Sequence, residues 1–262
     1  MNSILRQNNT KDLLIELVKT SFKLRYQNSI LGVLWVLIKP YSQFIVMYFV
    51  WTRIVNQDIP NYSLYLLIGI VTYTFFNELI ILGQMSLLER ANIILKVNFP
   101  RQIAVLSALI SAIINLGINF ALIFVIFLIT GKGYLITVGG ILNMLLVISV
   151  MTIFALGVSF FTSILTVRLR DLKNVFDLGL FLMYWVTPIL FVVNSTVIPS
   201  SFSSIVLANP FGIMINQIRA GFGVYGELNI GLTLIYLLVS ILIAVLGWLY
   251  FSKNVRKVAE YF

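Results

Sequence analysis

The chain has 262 residues, 60% of them hydrophobic and 10% charged, with a mean hydropathy of +1.01 and a formal net charge of +9. Ordinary soluble domains carry about 25% charged residues, so this composition excludes that class. With no Cys and no His, disulfides, thiolate catalysis and the usual zinc sites are excluded, and the nine Asp and Glu leave few candidates for a buried catalytic carboxylate pair.

Residues 10–27, TKDLLIELVKTSFKLRYQ, come first. Leu13, Leu14, Leu17, Val18, Ser21, Phe22 and Leu24 fall largely on one helical face, with Asp12, Glu16, Lys19, Lys23 and Gln27 on the other. The pattern predicts an amphipathic helix lying along a membrane surface, either a plain anchor or a gate. No cleavable signal is expected, because the first apolar run is too long for one and a basic amphipathic segment precedes it.

A hydrocarbon core about 30 Å thick needs roughly 20 apolar residues of helix. Six runs qualify, at about 30–52, 62–83, 103–129, 138–166, 174–193 and 229–251. The segment 198–222 is weaker, broken by Pro199 and Pro210 and carrying Arg219. It reads as two short helices that dip into the membrane and return, a backbone tolerated only against protein or a water-filled cavity.

Most basic residues fall in four islands: Arg6, Lys11, Lys19, Lys23 and Arg25; Arg90, Lys96 and Arg101; Arg168, Arg170 and Lys173; and Lys253, Arg256 and Lys257. Six crossings put all four on one side. The positive-inside rule makes that side cytosolic, so both termini are expected in the cytosol. Topology and the anionic inner leaflet account for the excess charge, and no nucleic-acid partner is expected. No internal repeat or soluble domain stands out, and residues 1–262 read as one all-α membrane domain.

No phosphate loop of the form GxxxxGK[ST] occurs, so ATP-driven work must come from another subunit. The segment 84–101 carries Glu89, Arg90, Lys96, the NFPR run and Arg101; it is either a connecting loop or a short cytosolic helix with an apolar docking side. Aromatic residues form stripes. Tyr41, Phe44, Tyr48 and Trp51 share a face of the first span, and Tyr62, Tyr65, Gly69, Tyr73 and Phe76 share one in the second. Phe181, Tyr184, Trp185 and Phe191 surround Pro188 in the fifth. Trp51, Tyr62 and Tyr65 suit an interfacial belt. Tyr48 and Tyr73 lie deeper, with hydroxyls that need partners; helix packing and the lining of a path for sugar rings are both open. Glu78, Asp177, Arg219 and Lys39 are the intramembrane charges, expensive and functional by default.

Four segments, FKLRYQNSILGVLWVLIKP (22–40), KVNFPRQIAVLSALIS (96–111), RLRDLKNVFDLGLFLMYWVTPILF (168–191) and LANPFGIMINQIRAGF (207–222), in this order, resemble the membrane subunit of ABC-2 type polysaccharide exporters. That family moves O-antigen, teichoic acid or capsular polysaccharide on a lipid carrier. The resemblance implies a homodimer in the bacterial inner membrane, with two copies of a separate ATPase that binds ATP and Mg, no cofactor in this chain, and a lipid-linked polysaccharide as cargo. By the same likeness 10–27, with Lys19, Phe22, Lys23 and Arg25, matches a cytosolic gate helix. Residues 84–101, with Glu89, Arg90, Lys96 and Arg101, match a coupling helix, and 198–222, with Pro199, Pro210 and Arg219, match outer re-entrant gate helices. Tyr41, Phe44, Tyr48, Tyr73, Phe76 and Tyr184 would line the polysaccharide path. Lys39 and Asp177 match no family role. An ion-gradient-driven lipid or sugar flippase would need intramembrane acidic relays, and a membrane-embedded polyprenyl-phosphate transferase would need clustered acidic metal ligands; neither pattern is visible.

Overall fold

The computed structural model describes residues 2–27, 29–54, 60–96, 99–192, 206 and 208–260, without the side chains of 2–10, 53–54, 134 and 259–260. Among these residues there are nine α-helices and no strand: α1 (Asn2–Tyr26), α2 (Trp35–Ile54), α3 (Tyr62–Glu89), α4 (Ala91–Lys96), α5 (Gln102–Ile129), α6 (Val138–Arg168), α7 (Leu172–Val186), α8 (Pro210–Gly221) and α9 (Ile230–Asn254). Local chemistry sets several starts. The Thr137 hydroxyl accepts the Gly140 N–H at 3.0 Å ahead of α6, and Asn229 Oδ1 accepts the Leu232 N–H at 2.9 Å ahead of α9. At α8, Asn209 Oδ1 caps the Phe211 N–H at 3.0 Å and Pro210 takes the first helical position.

The helix α3 is the axis. It packs against α2, α5, α6, α7 and α8, and 72% of its apolar window is buried, against 11% for α2 and 17% for α9. A helix apolar all round must be covered all round, and the other helices supply that cover. The partner of α9 is α6, where Gly157 and Gly247 let the backbones meet: a Cβ on Gly157 would stand 2.6 Å from backbone atoms of Ile243 and Ala244. Small residues at such crossings replace the hydrophobic drive that lipid does not provide. Pro40, inside α2, removes the N–H that would have bonded the Val36 carbonyl. Asn119 Nδ2 of α5 reaches that carbonyl instead, at 3.4 Å.

Among the described residues, five helical segments are long and apolar enough to cross a membrane: Gly32–Thr52, Tyr62–Lys96, Gln102–Ile129, Val138–Arg168 and Ile230–Val258. They match the first four expected spans and the last. The run expected over 174–193 forms instead the 15-residue α7, about 22 Å long at 1.5 Å per residue. It stops at Val186 because Pro188 cannot donate to Tyr184 and disfavours a helical Thr187, whose ψ is 136°. Of the two expected re-entrant helices only the second, α8, lies within the described residues; Pro199 lies outside them.

The amphipathic helix forms over a longer stretch than expected, as α1. Leu13, Leu14, Leu17, Val18, Ser21 and Phe22 are covered, while Asp12, Glu16, Lys19, Lys23 and Gln27 are exposed. Leu24 departs from the pattern, at 70% exposed. The covered face meets α5.

Candidate functional site

Two ends of the bundle concentrate polar side chains. At the first, α7 has ended, and the carbonyls of the non-helical stretch Pro188–Phe191 that follows it need donors. Three side chains provide them. The Tyr62 hydroxyl donates to Leu190 O at 2.9 Å, and the Tyr65 hydroxyl to Phe191 O at 2.9 Å and Pro188 O at 3.2 Å. Arg219, fully buried on α8, donates Nη1 to Pro188 O at 2.9 Å and Nη2 to Ile189 O at 3.0 Å. Its Nε bonds Tyr65 O at 3.0 Å, Nη1 also reaches Asn216 Oδ1 at 2.9 Å, and the guanidinium sits 3.4 Å from the centroid of the Tyr65 ring. All these acceptors are neutral oxygens, so dipoles and an aromatic face hold the cation. Gly69 leaves the room: a Cβ there would land on Arg219 Nη2. Asn209 adds a tie from Nδ2 to the Thr187 hydroxyl at 3.0 Å. Among the expected outer-gate residues, then, Pro210 starts α8 and Arg219 locks α8 to α3 and to the broken end of α7.

At the opposite end, α3 gives way to α4 at Arg90. The expected short helix exists over Ala91–Lys96, but residues 84–89 continue α3. Arg90 was expected among the residues that couple the chain to its ATPase. It is 7% exposed and turned toward α1, with Nη2 donating to the Ser21 hydroxyl at 2.8 Å and Nη1 to Ser86 O at 3.2 Å. Ser21 in turn donates to Leu17 O at 2.7 Å. Arg101 also turns inward and donates Nη1 to Val255 O. Glu89 and Lys96 are the exposed members of that set.

Two cavities flank α1 here. The larger, about 660 Å³, is lined by Arg25, Tyr26, Trp35, Lys39, Asn77, Glu78 and their neighbours. The smaller, about 370 Å³, lies between Leu17, Ser21 and Arg25 on one side and Arg90 and Ile93 on the other. Arg25 and Glu89 border both. Glu78 accepts a hydrogen bond from Asn115 Nδ2 at 2.8 Å. Burial raises the Tyr26 phenol above its ordinary value, against the lowering influence of the adjacent Arg25. Lys39 and the other unassigned charge, Asp177 of α7, are both exposed. Among the described residues no three His, Cys, Asp or Glu side chains converge on a metal-binding arrangement.

Five of the six expected path aromatics fall into two tracks. Phe44 stacks on Tyr48 at 5.6 Å between centroids, Tyr48 on Tyr62 at 6.2 Å, and Tyr62 on Tyr65 at 6.2 Å. Tyr48 is 39% exposed on the open side of α2. The second track is internal: Tyr184 meets Tyr73 edge-on at 5.2 Å, Tyr73 neighbours Phe76 at 6.4 Å, and Phe76 packs on Phe211 at 4.1 Å. Tyr73 and Phe76 are buried, and the Tyr73 hydroxyl donates to Leu180 O. The partner that this deep hydroxyl requires is therefore the backbone of α7, not a wetted path. Tyr41 lies apart, its hydroxyl 3.4 Å from Asn119 O.

Sequence reasoning missed Asn115 and Asn119 as partners of Glu78 and of the Pro40 break. Two amides four residues apart within an apolar run were the available signal. It also assigned Tyr62 and Tyr65 to an interfacial belt, whereas both are buried donors.

A family model described as ABC-2 type transporter matches residues 12–222. An O-antigen export system permease protein RfbA of Klebsiella pneumoniae is 31% identical over 249 residues, covering 95% of this chain and 94% of the relative. Another protein of that name from the same organism is 28% identical over the same shares. One from Myxococcus xanthus is 26% identical over 81% of this chain and 80% of the relative.

Proposed function

Because the chain belongs to the ABC-2 type transporter family, we propose that it is the membrane subunit of an ATP-driven exporter of lipid-linked polysaccharide, of the kind its relatives' names describe for O-antigen. In this reading two copies pair in the cytoplasmic membrane with both termini in the cytosol, and two copies of a nucleotide-binding ATPase dock from the cytosolic side. The absence of a phosphate loop and the exposed Glu89 and Lys96 beside α4 support a separate motor.

The observation that carries the reading is the uncovered side of α2 and α7. Ile45, Val46 and Tyr48 on α2, with Phe181, Leu182 and Trp185 on α7, are all exposed. A second copy covers part of such a surface, and the polymer passes the part bearing the Phe44–Tyr48–Tyr62 track. Ring faces suit sugars, which offer apolar C–H faces with hydroxyls at their edges, and stacking tolerates changes of register as the polymer moves. Tyr73 and Phe76 support this wall from behind.

Co-reconstitution with the ATPase tests the proposal. The chain by itself is expected to hydrolyse no ATP, and the complex to move lipid-linked polymer only when ATP is hydrolysed. Hydrolysis by the purified chain, or unchanged surface polymer in cells lacking it, would overturn the reading.

A further inference from the structure

We propose that Arg101 is a positioning residue: it fastens the head of α5, next to α4, to the end of α9, so that a displacement of α4 reaches the last span. The proposal rests on the export reading for the motor that displaces α4, and it adds the route by which that push leaves α4.

A six-residue helix such as α4 has no stability of its own, so packing sets its place. Ile94, buried on α4, joins a cluster set apart from the central core. Its companions there include Leu87 of α3, Val105 of α5, Ile164 of α6, Phe251 of α9 and Val258 of the turn Val255–Glu260 that follows α9. Apolar contact is non-directional and leaves α4 room to slip against its neighbours. A hydrogen bond has a set distance and angle. Arg101 supplies one: it directly precedes α5, and its Nη1 donates to Val255 O. Val255 closes α9, with its own N–H bonded to Phe251 O. A guanidinium at a helix C-terminus also meets the negative end of the dipole, which adds to the attraction.

Along the rest of its length α9 belongs to α6. Only 17% of its apolar window is buried, and a Cβ on Gly247 would stand 2.2 Å from Gly157 O. A crossing that close does not let the two backbones slide, so a displacement carried through Arg101 to α9 moves α6 as well. Arg90 does the corresponding work at the other end of α4, where its bond to Ser21 reaches α1. Two inward guanidiniums therefore bracket α4 and pass one push to two different helices.

The chain has no Cys, which makes the test direct. Asn92→Cys on α4 and Ser252→Cys on α9, both exposed, carry nitroxides. Full-length labelled chain, diluted with unlabelled chain in nanodiscs, then gives the distance within one copy by pulsed electron spin resonance. One narrow distance is expected, unchanged when the motor subunit and ATP are added. Arg101→Met keeps the length and loses the donors, and should broaden it; Arg101→Lys keeps a donor and should restore it. In the complex Arg101→Met should lower polymer export about tenfold or more while ATP hydrolysis continues at the wild-type rate; loss of fold alone would lower both together. Where Arg101→Met does not fold, the pair Arg101→Cys and Val255→Cys decides: joining it with a short bifunctional thiol reagent should recover export that the unjoined pair lacks. A wild-type distance that shifts with ATP, an unbroadened distance or full export in Arg101→Met, or equal export by the joined and unjoined pair would overturn the proposal. The distance in the chain alone needs no motor, so the two readings separate. A complex that exports nothing yet shows the Arg101-dependent distance keeps the clamp and loses the export reading, and the reverse result does the opposite.

Discussion

Arg219 and Arg25 are the same side chain in opposite circumstances. Arg219 is wholly buried, with its donors distributed over Tyr65, Pro188, Ile189 and Asn216. Arg25 is exposed on α1 and borders two cavities. The first immobilises three elements at a break in the backbone, since removing it strands carbonyls away from water. The second is a charge held at an opening. One end of the bundle therefore holds its cation by a closed set of acceptors and the other leaves one at a cavity mouth, while Arg90, at the same end as Arg25, is buried and bonded to α1 through Ser21.

The largest effect should come from the fixed end. Arg219→Leu removes donors from Tyr65 O, Pro188 O and Ile189 O and leaves the Ile189 carbonyl without one, at about 1–3 kcal/mol for a group left unsatisfied. Thermal unfolding in nanodiscs should show severe destabilisation, with Arg219→Lys intermediate because an ammonium lacks the planar fork. Wild-type melting of Arg219→Leu would erase the contrast between the two ends. Next in size is Asn119→Ala, which deprives Val36 O of the donor that stands in for Pro40; a loss of about 1–2 kcal/mol is expected in the same assay.

A more local change is expected from Ser21→Ala, about 1.5 kcal/mol for one hydrogen bond to a charged group. Hydrogen exchange should rise over α1 while the melting of the rest is unchanged; an α1 as protected as before would show that its apolar face alone seats it. The least effect on stability belongs to Tyr48→Ala, on the open face, within about 0.5 kcal/mol. It should nevertheless depress polymer export at unchanged membrane abundance. Full export by this variant would reduce the exposed aromatic track to a surface feature.

Much of the architecture was legible because the membrane simplifies the code. Apolar runs of about 20 residues can only be helices there, and five of the expected spans stand close to their predicted positions. The face of α1 was legible from its 3.6-residue period, apart from Leu24. What escaped was long-range pairing. Nothing local to Arg90 announces Ser21, sixty-nine positions away, and a basic residue beside an expected loop reads as surface. Tyr62 and Tyr65 carried the composition of an interfacial belt, yet their hydroxyls serve carbonyls more than 120 positions distant. Pro188 marked the point where α7 breaks, but the apolar residues beyond it extended the predicted span to 193. For the candidate site, residue types were readable and their directions were not: Arg219 stood out as an intramembrane charge and Arg90 as a member of the coupling segment, but their inward geometry depends on tertiary packing.

The unbroken course of α3 has a thermodynamic consequence. Its 28 residues extend about 42 Å at 1.5 Å per residue, with Tyr65 O accepting from Arg219 near its start and Arg90 following its last turn. A straight helix turned about its own axis displaces side chains at both ends together. If two angular settings of α3 differ in their fit to a partner docked at its Arg90 end, the linkage is reciprocal: the work by which that partner favours one setting equals the work by which the far end, held in that setting, tightens the partner. An exporter so arranged would sense the state of its far mouth through the affinity of its near one, with torsion of a single rod as the messenger.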